Sequence, residues 1–73
     1  MRLTPLSPAT IIKILKSLGF EAFRQRGSHI FFRHPDGRTT VVPFHKGEDI
    51  SRGLLRKILH DIDVTWHDFI SLR

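Results

Sequence analysis

The chain has 73 residues, with 12 lysines and arginines against seven aspartates and glutamates, which gives a net charge of +5 at pH 7. Without cysteine, and with 40% hydrophobic residues, it can be neither a disulfide-braced secreted miniprotein nor a disordered basic tail. Its apolar runs are too short for a membrane span, and its first residues lack the apolar core of a signal peptide. We therefore expect one domain over residues 1–73, located in the cytoplasm, whose charge favours a polyanion or an acidic partner.

The first predicted element is an amphipathic helix over residues 8–18. Ser7 is a favourable N-cap, and Pro8 suits the first helical position because that position needs no amide hydrogen. Gly19 is expected to end the helix in the left-handed conformation. The apolar side chains recur at helical spacing on one face: Ile11, Ile12, Leu15 and Leu18.

Three strands are predicted next, over residues 20–26, from 28 or 29 to 34, and over 38–42. The turns between them, Gly27-Ser28 and Pro35-Asp36-Gly37, have the residue types of short hairpin connections, which predicts an antiparallel sheet. Pro43 has no amide hydrogen, so it should end the third strand or lie at a sheet edge.

Two helices are predicted after the sheet. Ser51 caps the first, and a short last helix follows Thr65. The apolar stripe of the first consists of Leu54, Leu55, Ile58, Leu59 and Ile62. The order α-β-β-β-α, with a short extra C-terminal helix, predicts an α+β fold: a three-stranded antiparallel sheet with its helices on one face. The other face should be open to solvent.

Alternation along the second strand predicts what the open face presents. Ile30 and Phe32 are the better core pair, so His29, Phe31 and Arg33 should point away from the helices. The alternative is the opposite register, with Phe31 in the core. An aromatic ring and an arginine beside a histidine suit RNA, because rings stack on bases and arginines bind phosphates.

Further basic residues lie on the first strand and the second helix. Strict alternation places Phe23 on one face of the first strand and Arg24 and Arg26 on the other, without saying which face is exposed. Arg52 and Arg56 share one face of the second helix, where an anion would relieve their repulsion, although a simple solvated face is the alternative. The set that together favours anion binding is Arg24, Arg26, Arg33, Arg38, Lys46, Arg52, Arg56 and Lys57.

His29 is the candidate for acid–base chemistry. It follows the Gly27-Ser28 turn, whose backbone amides could receive a phosphate, and an imidazole titrates near neutral pH. RNA carries its own nucleophile, the 2′-hydroxyl, so its cleavage needs no metal. A structural role for a single strand histidine is the alternative. The histidines also lack the spacing of a metal site, so we expect neither a metal nor a cofactor.

Four regions of the chain resemble the HicA family of mRNA interferase toxins, which belong to type II toxin–antitoxin systems. Residues 24–29 (RQRGSH) with 31–35 (FFRHP) resemble the family signature, and residues 41–45 (VVPFH) resemble its Val-Pro-x-His stretch. Residues 50–59 are similar to its second helix, and 64–69 to the short last helix of its longer branch. The resemblance implies a fold like that of the double-stranded-RNA-binding domain.

The resemblance also implies an activity and a partner. It implies a metal-independent endoribonuclease that cleaves mRNA and blocks translation, and a cognate HicB-type antitoxin that covers the active face. His29 matches the family's catalytic histidine, and Gly27 and Ser28 match the turn that presents it. His45 matches a second recurring histidine, so Ser28 and His45 are auxiliary candidates, whereas Phe44 departs from the family's usual polar or basic residue.

The residues assigned to RNA binding are Arg24, Arg26, Gly27, Phe31, Arg33, Lys46, Arg52 and Arg56. Two other functions stay open at this point. The chain could be a non-catalytic RNA-binding module, or a domain whose basic face meets only an acidic protein.

Overall fold

The computed structural model describes residues 2–73 and confirms the predicted order of elements. The elements are α1 (Pro8–Ser17), β1 (Glu21–Arg26), β2 (His29–Arg33), β3 (Thr39–Pro43), α2 (Arg52–Ile62) and α3 (Trp66–Ile70). The strands form one antiparallel sheet in the order β1-β2-β3, so the α+β fold class is confirmed. Within the described residues, no helix has the length and apolar character needed to cross a bilayer.

Each helix begins where a short hydroxyl side chain precedes it. Ser7, Ser51 and Thr65 are the N-caps of α1, α2 and α3, and each side chain accepts a hydrogen bond from the backbone N–H three residues later. Gly19 follows α1 with a φ of +97°, the left-handed value expected of a helix stop. Asp63 takes the same role after α2 with a φ of 55°.

The core lies between the helices and one face of the sheet. Its buried members are Leu6, Ile11, Ile14, Leu15, Phe20, Phe32, Val42, Ile50, Leu55, Ile58, Leu59, Ile62 and Phe69. Thr40 is also buried, and its hydroxyl donates to the Asp61 carboxylate, which fastens β3 to α2. Because Phe32 points into this core, its neighbours Phe31 and Arg33 point to the other face, and the opposite register is excluded.

The two ends of the sheet differ in which helix ends lie there. The Gly27 end comprises the Gly27-Ser28 turn, the end of β3 and the loop of residues 44–49. There Leu6 pairs with Ile50, directly before the two N-caps, so α1 and α2 begin side by side. The positive ends of both helix dipoles are therefore at the Gly27 end.

The Gly37 end comprises residues 34–38 and the ends of both helices. Gly19, after α1, lies against the His34 ring, and the Arg38 guanidinium donates a hydrogen bond to the carbonyl of Ile62, the last residue of α2. Both helices thus run from the Gly27 end to the Gly37 end.

β1 contains a bulge that strict alternation did not predict. Ala22 pairs with Phe32 and Arg24 pairs with Phe31, which leaves Phe23 as an extra residue between them. Phe23 and Arg24 both contact Phe31, so they lie on the same face. The prediction that these two residues occupy opposite faces is wrong, because the extra residue resets the alternation. The same bulge places Ala22 on the helix side, away from Arg24.

Candidate functional site

The sheet face turned away from the helices, here called the open face, carries most of the predicted site. Its residues form three cross-strand rows. From the Gly27 end to the Gly37 end these rows are Arg26–His29–Pro43, Arg24–Phe31–Val41 and Glu21–Arg33–Thr39. Direct cross-strand neighbours lie about 5 Å apart. His29 therefore lies between the Arg26 cation on β1 and Pro43, the last residue of β3.

His29 is held firmly through its backbone while its side chain is exposed. It opens β2 directly after the hairpin turn, where Gly27 has the positive φ of 56° that such a turn requires. Pairing with Arg26 and Pro43 fixes its position between two strands. The imidazole projects into solvent, where a ligand can reach it.

The loop after β3 brings the second predicted histidine to the same end. The backbone N–H of Phe44 donates to the carbonyl oxygen of Ser28 over 2.7 Å. His45 follows directly, and its Nε2 lies 3.3 Å from the Ser28 hydroxyl oxygen, within hydrogen-bond distance. The structure therefore brings Ser28 and His45 into contact at the Gly27 end, where His29 opens β2, although Ser28 and His45 are 17 positions apart in the sequence.

Two aromatic rings and two arginines cover the middle of the open face. The Phe23 and Phe31 rings meet edge to face, with centroids 6.4 Å apart. The Arg33 guanidinium lies 4.9 Å from the Phe23 centroid, and that of Arg24 lies 6.0 Å from the Phe31 centroid. These distances are within the range of cation–π attraction. We call this group the bulge cluster.

Sequence reasoning missed Phe23, although one signal pointed to the bulge. Phe20 is large and apolar and belongs in the core, where it is found. With Phe20 in the core, strict alternation would also turn Arg24 and Arg26 toward the helices, and burying two unpaired arginines is costly. An extra residue between Phe20 and Arg24 resolves that conflict.

The open face has basic groups that the fold leaves without acid partners. The ion pairs found among residues 2–73 use Asp36, Asp61 and Asp68 as acids, and none of these lies on the open face. Arg24, Arg26 and Arg33 are exposed and have no carboxylate within 4.0 Å in that part of the chain. The acid on this face is Glu21, in the row nearest the Gly37 end.

Other predicted RNA-binding residues lie elsewhere. Lys46 is in the 44–49 loop, beside a cavity of about 210 Å³ between that loop and the first turn of α1. Arg52 and Arg56 line a separate recess with Arg2 and Leu3 on the helix side, so the structure does not bring them to His29.

Arg38, which the sequence grouped with the anion-binding set, is engaged within the fold. Besides its bond to α2, its Nε donates to the Asp36 carboxylate at 2.9 and 3.1 Å, and its guanidinium lies 5.1 Å from the Phe20 centroid. The hydrogen bonds from the Arg38 side chain and backbone lower the pKa of Asp36 from 3.8 to about 2. This arginine stabilises the Gly37 end.

Metal-ligand geometry is absent from the described residues, 2–73: no three histidine, aspartate or glutamate side chains there lie close enough together to hold an ion.

One protein family matches most of the chain. The family described as "HicA toxin of bacterial toxin-antitoxin" matches residues 9–64, which include the whole sheet, both histidines of the Gly27 end and α2. None of the curated proteins matches the chain.

Proposed function

Because the chain belongs to the HicA family of toxins from bacterial toxin–antitoxin systems, we propose that it is an endoribonuclease that cleaves mRNA and thereby blocks translation. The observation that carries the proposal is the placement of His29. It is exposed beside Arg26 at the Gly27 end of the open face, and it directly follows Ser28, which contacts His45. An acid–base residue of this kind acts on a bound phosphodiester.

The proposed reaction uses the nucleophile that RNA carries. A base removes the proton of a 2′-hydroxyl, whose oxygen attacks the neighbouring phosphorus. The bond to the 5′-oxygen of the next nucleotide breaks, and an acid donates a proton to that oxygen. The products are a 2′,3′-cyclic phosphate and a free 5′-hydroxyl, so two proton transfers are needed.

We assign these two transfers to His29 and His45. Ser28 holds the His45 ring at the same end as His29 through the 3.3 Å contact. The negative charge that develops on the phosphoryl oxygens would be stabilised by Arg26, the cross-strand neighbour of His29, and by Lys46. The adjacent positive ends of the helix dipoles would also stabilise this negative charge.

The phosphates on either side of the cleaved bond would lie along the open face. Arg24 on β1 and Arg33 on β2 occupy the two successive rows beyond His29. Successive side chains on one face of a strand are spaced by about 7 Å. Arginines on that spacing suit an extended strand with a phosphate at each nucleotide.

Membership of the family implies an antitoxin partner. We propose that this partner is a HicB-type protein that covers the open face. The arginines there have no acid partners within residues 2–73, so an acidic surface would complement them. Covering the face would inhibit the toxin by excluding RNA from His29.

The experiment that tests the function compares the native chain with His29→Ala on single-stranded RNA. Replacing His29 should lower the cleavage rate by roughly 100- to 10,000-fold, because a proton transfer is lost. His67, an exposed histidine on α3, provides the matched control His67→Ala, which should cleave at the native rate. Activity should persist in the presence of a chelator.

Native-rate cleavage by His29→Ala would contradict the assignment. RNA that the native chain retains intact on a gel would instead favour the non-catalytic RNA-binding module. Tight binding to an acidic protein, with no RNA retention at low salt, would favour the interaction domain.

A further inference from the structure

We propose that Phe23 is a stacking platform for an unpaired RNA base, and that this contact orders the bound RNA strand near His29. The inference rests on the proposed function for the identity of its ligand, which is single-stranded RNA. It adds a binding residue that neither the sequence motifs nor the alternation pattern assigned.

The bulge creates the platform. As the extra residue between two ladder pairs, Phe23 has no cross-strand partner, and its side chain joins the open face beside that of Arg24. Bulges commonly re-aim a side chain in this way near functional sites. Here the re-aimed side chain is a phenylalanine that stays 44% exposed, although the core lies on the other side of the same thin sheet.

The surroundings of Phe23 hold its ring in place. The edge-to-face contact with Phe31 and the Arg33 guanidinium at 4.9 Å restrict how the ring can turn. Phe31 belongs to the row next to His29, about 7 Å away along β2, and Phe23 packs against Phe31 on the side toward the Gly37 end. A base stacked there would position the RNA strand so that one of its phosphodiester bonds can lie at His29.

The alternation of rings and guanidinium groups favours RNA over a protein ligand. In single-stranded RNA, each base is accompanied by a phosphate. The bulge cluster matches this pattern because its aromatic rings can stack on bases while Arg24 and Arg33 lie beside them. A protein surface would have to supply a carboxylate for each arginine as well as an apolar contact for each ring. A duplex fits poorly, because its base faces are already stacked on one another.

The experiment measures binding with two uncleavable probes. One is a short oligouridylate with methylated 2′-hydroxyls, which lacks the nucleophile and leaves His29 in place. The other is an abasic strand with the same number of phosphates. Fluorescence anisotropy gives the Kd of each probe for the native chain and for Phe23→Leu, Phe23→Trp and Leu72→Ala. Leu72 is the matched control, since it is 40% exposed on the C-terminal segment.

Phe23→Leu should weaken binding of the oligouridylate roughly 5- to 100-fold and leave the abasic strand unchanged, because only the stacked base is lost. Phe23→Trp should bind at least as tightly as the native chain, and Leu72→Ala should match it. Thermal unfolding of each variant checks that the fold persists, as expected for an exposed position.

Equal losses for both probes, or no loss for either, would overturn the inference. If Phe23→Leu weakened binding only to an acidic protein partner, that result would also overturn the inference and identify Phe23 as a protein contact. Cleavage of unmodified RNA by the native chain is scored separately. If binding depends on Phe23 but the native chain does not cleave RNA, the endoribonuclease proposal fails and the stacking platform stands. If the native chain cleaves RNA but binding does not depend on Phe23, the platform fails and the endoribonuclease proposal stands.

Discussion

The Gly27 end and the Gly37 end of the sheet are built from similar parts and differ in where their polar groups are directed. Each has a tight turn containing a glycine with positive φ, and each has a histidine at one end of β2 and an arginine beside it. At the Gly37 end, Arg38 bonds to Asp36 and to α2. At the Gly27 end, Arg26 has no acid partner within residues 2–73.

The two histidines show the same contrast. His34 is half-buried, and its ring meets Phe20 edge to face with centroids 5.1 Å apart. Its Nδ1 accepts a hydrogen bond from the backbone N–H of Asp36 over 3.1 Å. His29 is exposed and lies beside Ser28. The two histidines therefore differ in whether the fold engages the imidazole ring, a difference that residue type alone does not reveal.

The largest expected effect tests that contrast directly. His29→Ala should lose roughly 100-fold or more in RNA cleavage with little change in unfolding free energy, because it removes an acid–base group from an exposed position. His34→Ala should do the opposite, costing about 1–2 kcal/mol of stability through lost packing on Phe20. Urea unfolding and single-turnover cleavage measure the two effects.

A cleavage loss in His34→Ala as large as that in His29→Ala, measured on folded protein, would break the distinction between the ends.

The second expected effect concerns the glycines. A Cβ at Gly19 would lie 2.9 Å from His34 Nε2, at a φ of +97°, so Gly19→Ala should destabilise the fold by about 2 kcal/mol. At Gly27 a Cβ would meet nothing within 4 Å. Gly27→Ala should therefore cost only about 1 kcal/mol, from backbone conformation alone. Urea unfolding of both variants measures the difference, and equal costs would show that the crowding against His34 does not matter.

A third effect separates the arginines. Arg26→Gln should weaken RNA binding and reduce the slope of log affinity against log salt by about 1, because one phosphate contact is lost. Arg38→Gln should lower the unfolding free energy and leave that slope unchanged, since its guanidinium is engaged within the fold. Salt titrations of binding to the uncleavable probe provide the measurement. A reduced slope in Arg38→Gln would place this arginine among the phosphate contacts.

The smallest effect is a pH dependence at the Gly37 end. The pKa of Asp36 is lowered to about 2 from 3.8 by hydrogen bonds from Arg38. A lowered pKa means that the folded state favours the ionised carboxylate, so its contribution is fully present above about pH 4 and is lost as the pH falls toward 2. Compared with Asp36→Asn, the native chain should lose more stability over that interval. Parallel pH profiles of the two proteins would refute this assignment.

Local signals in the sequence were sufficient for most of the fold. The N-caps Ser7 and Ser51 and the two turns mark the element ends, because capping and turn formation depend on a few neighbouring residues. The exposed face of β2 followed from alternation, since Ile30 and Phe32 make an apolar side whereas Phe31 shares its side with a histidine and an arginine. Features that depend on contacts distant in sequence were not predictable in this way.

The bulge and the second histidine illustrate why. Phe23 moves to the open face because the pairing of β1 with β2 shifts there, and that shift is a property of two strands together. His45 was a candidate only through resemblance, because its approach to Ser28 depends on how the 44–49 loop folds back. Arg38 could not be separated from Arg33 by residue type, since its partner Ile62 belongs to another element.

The loop of residues 44–49 is also short and fixed at both of its ends. One end is fastened where Phe44 bonds to Ser28, and the other where Ile50 pairs with Leu6. A segment this short, closed at both ends, explores few conformations, so most of the entropy of ordering His45 is lost when the protein folds. A substrate that reaches His45 therefore meets a group whose position is already restricted, and less of the binding free energy is needed to organise it.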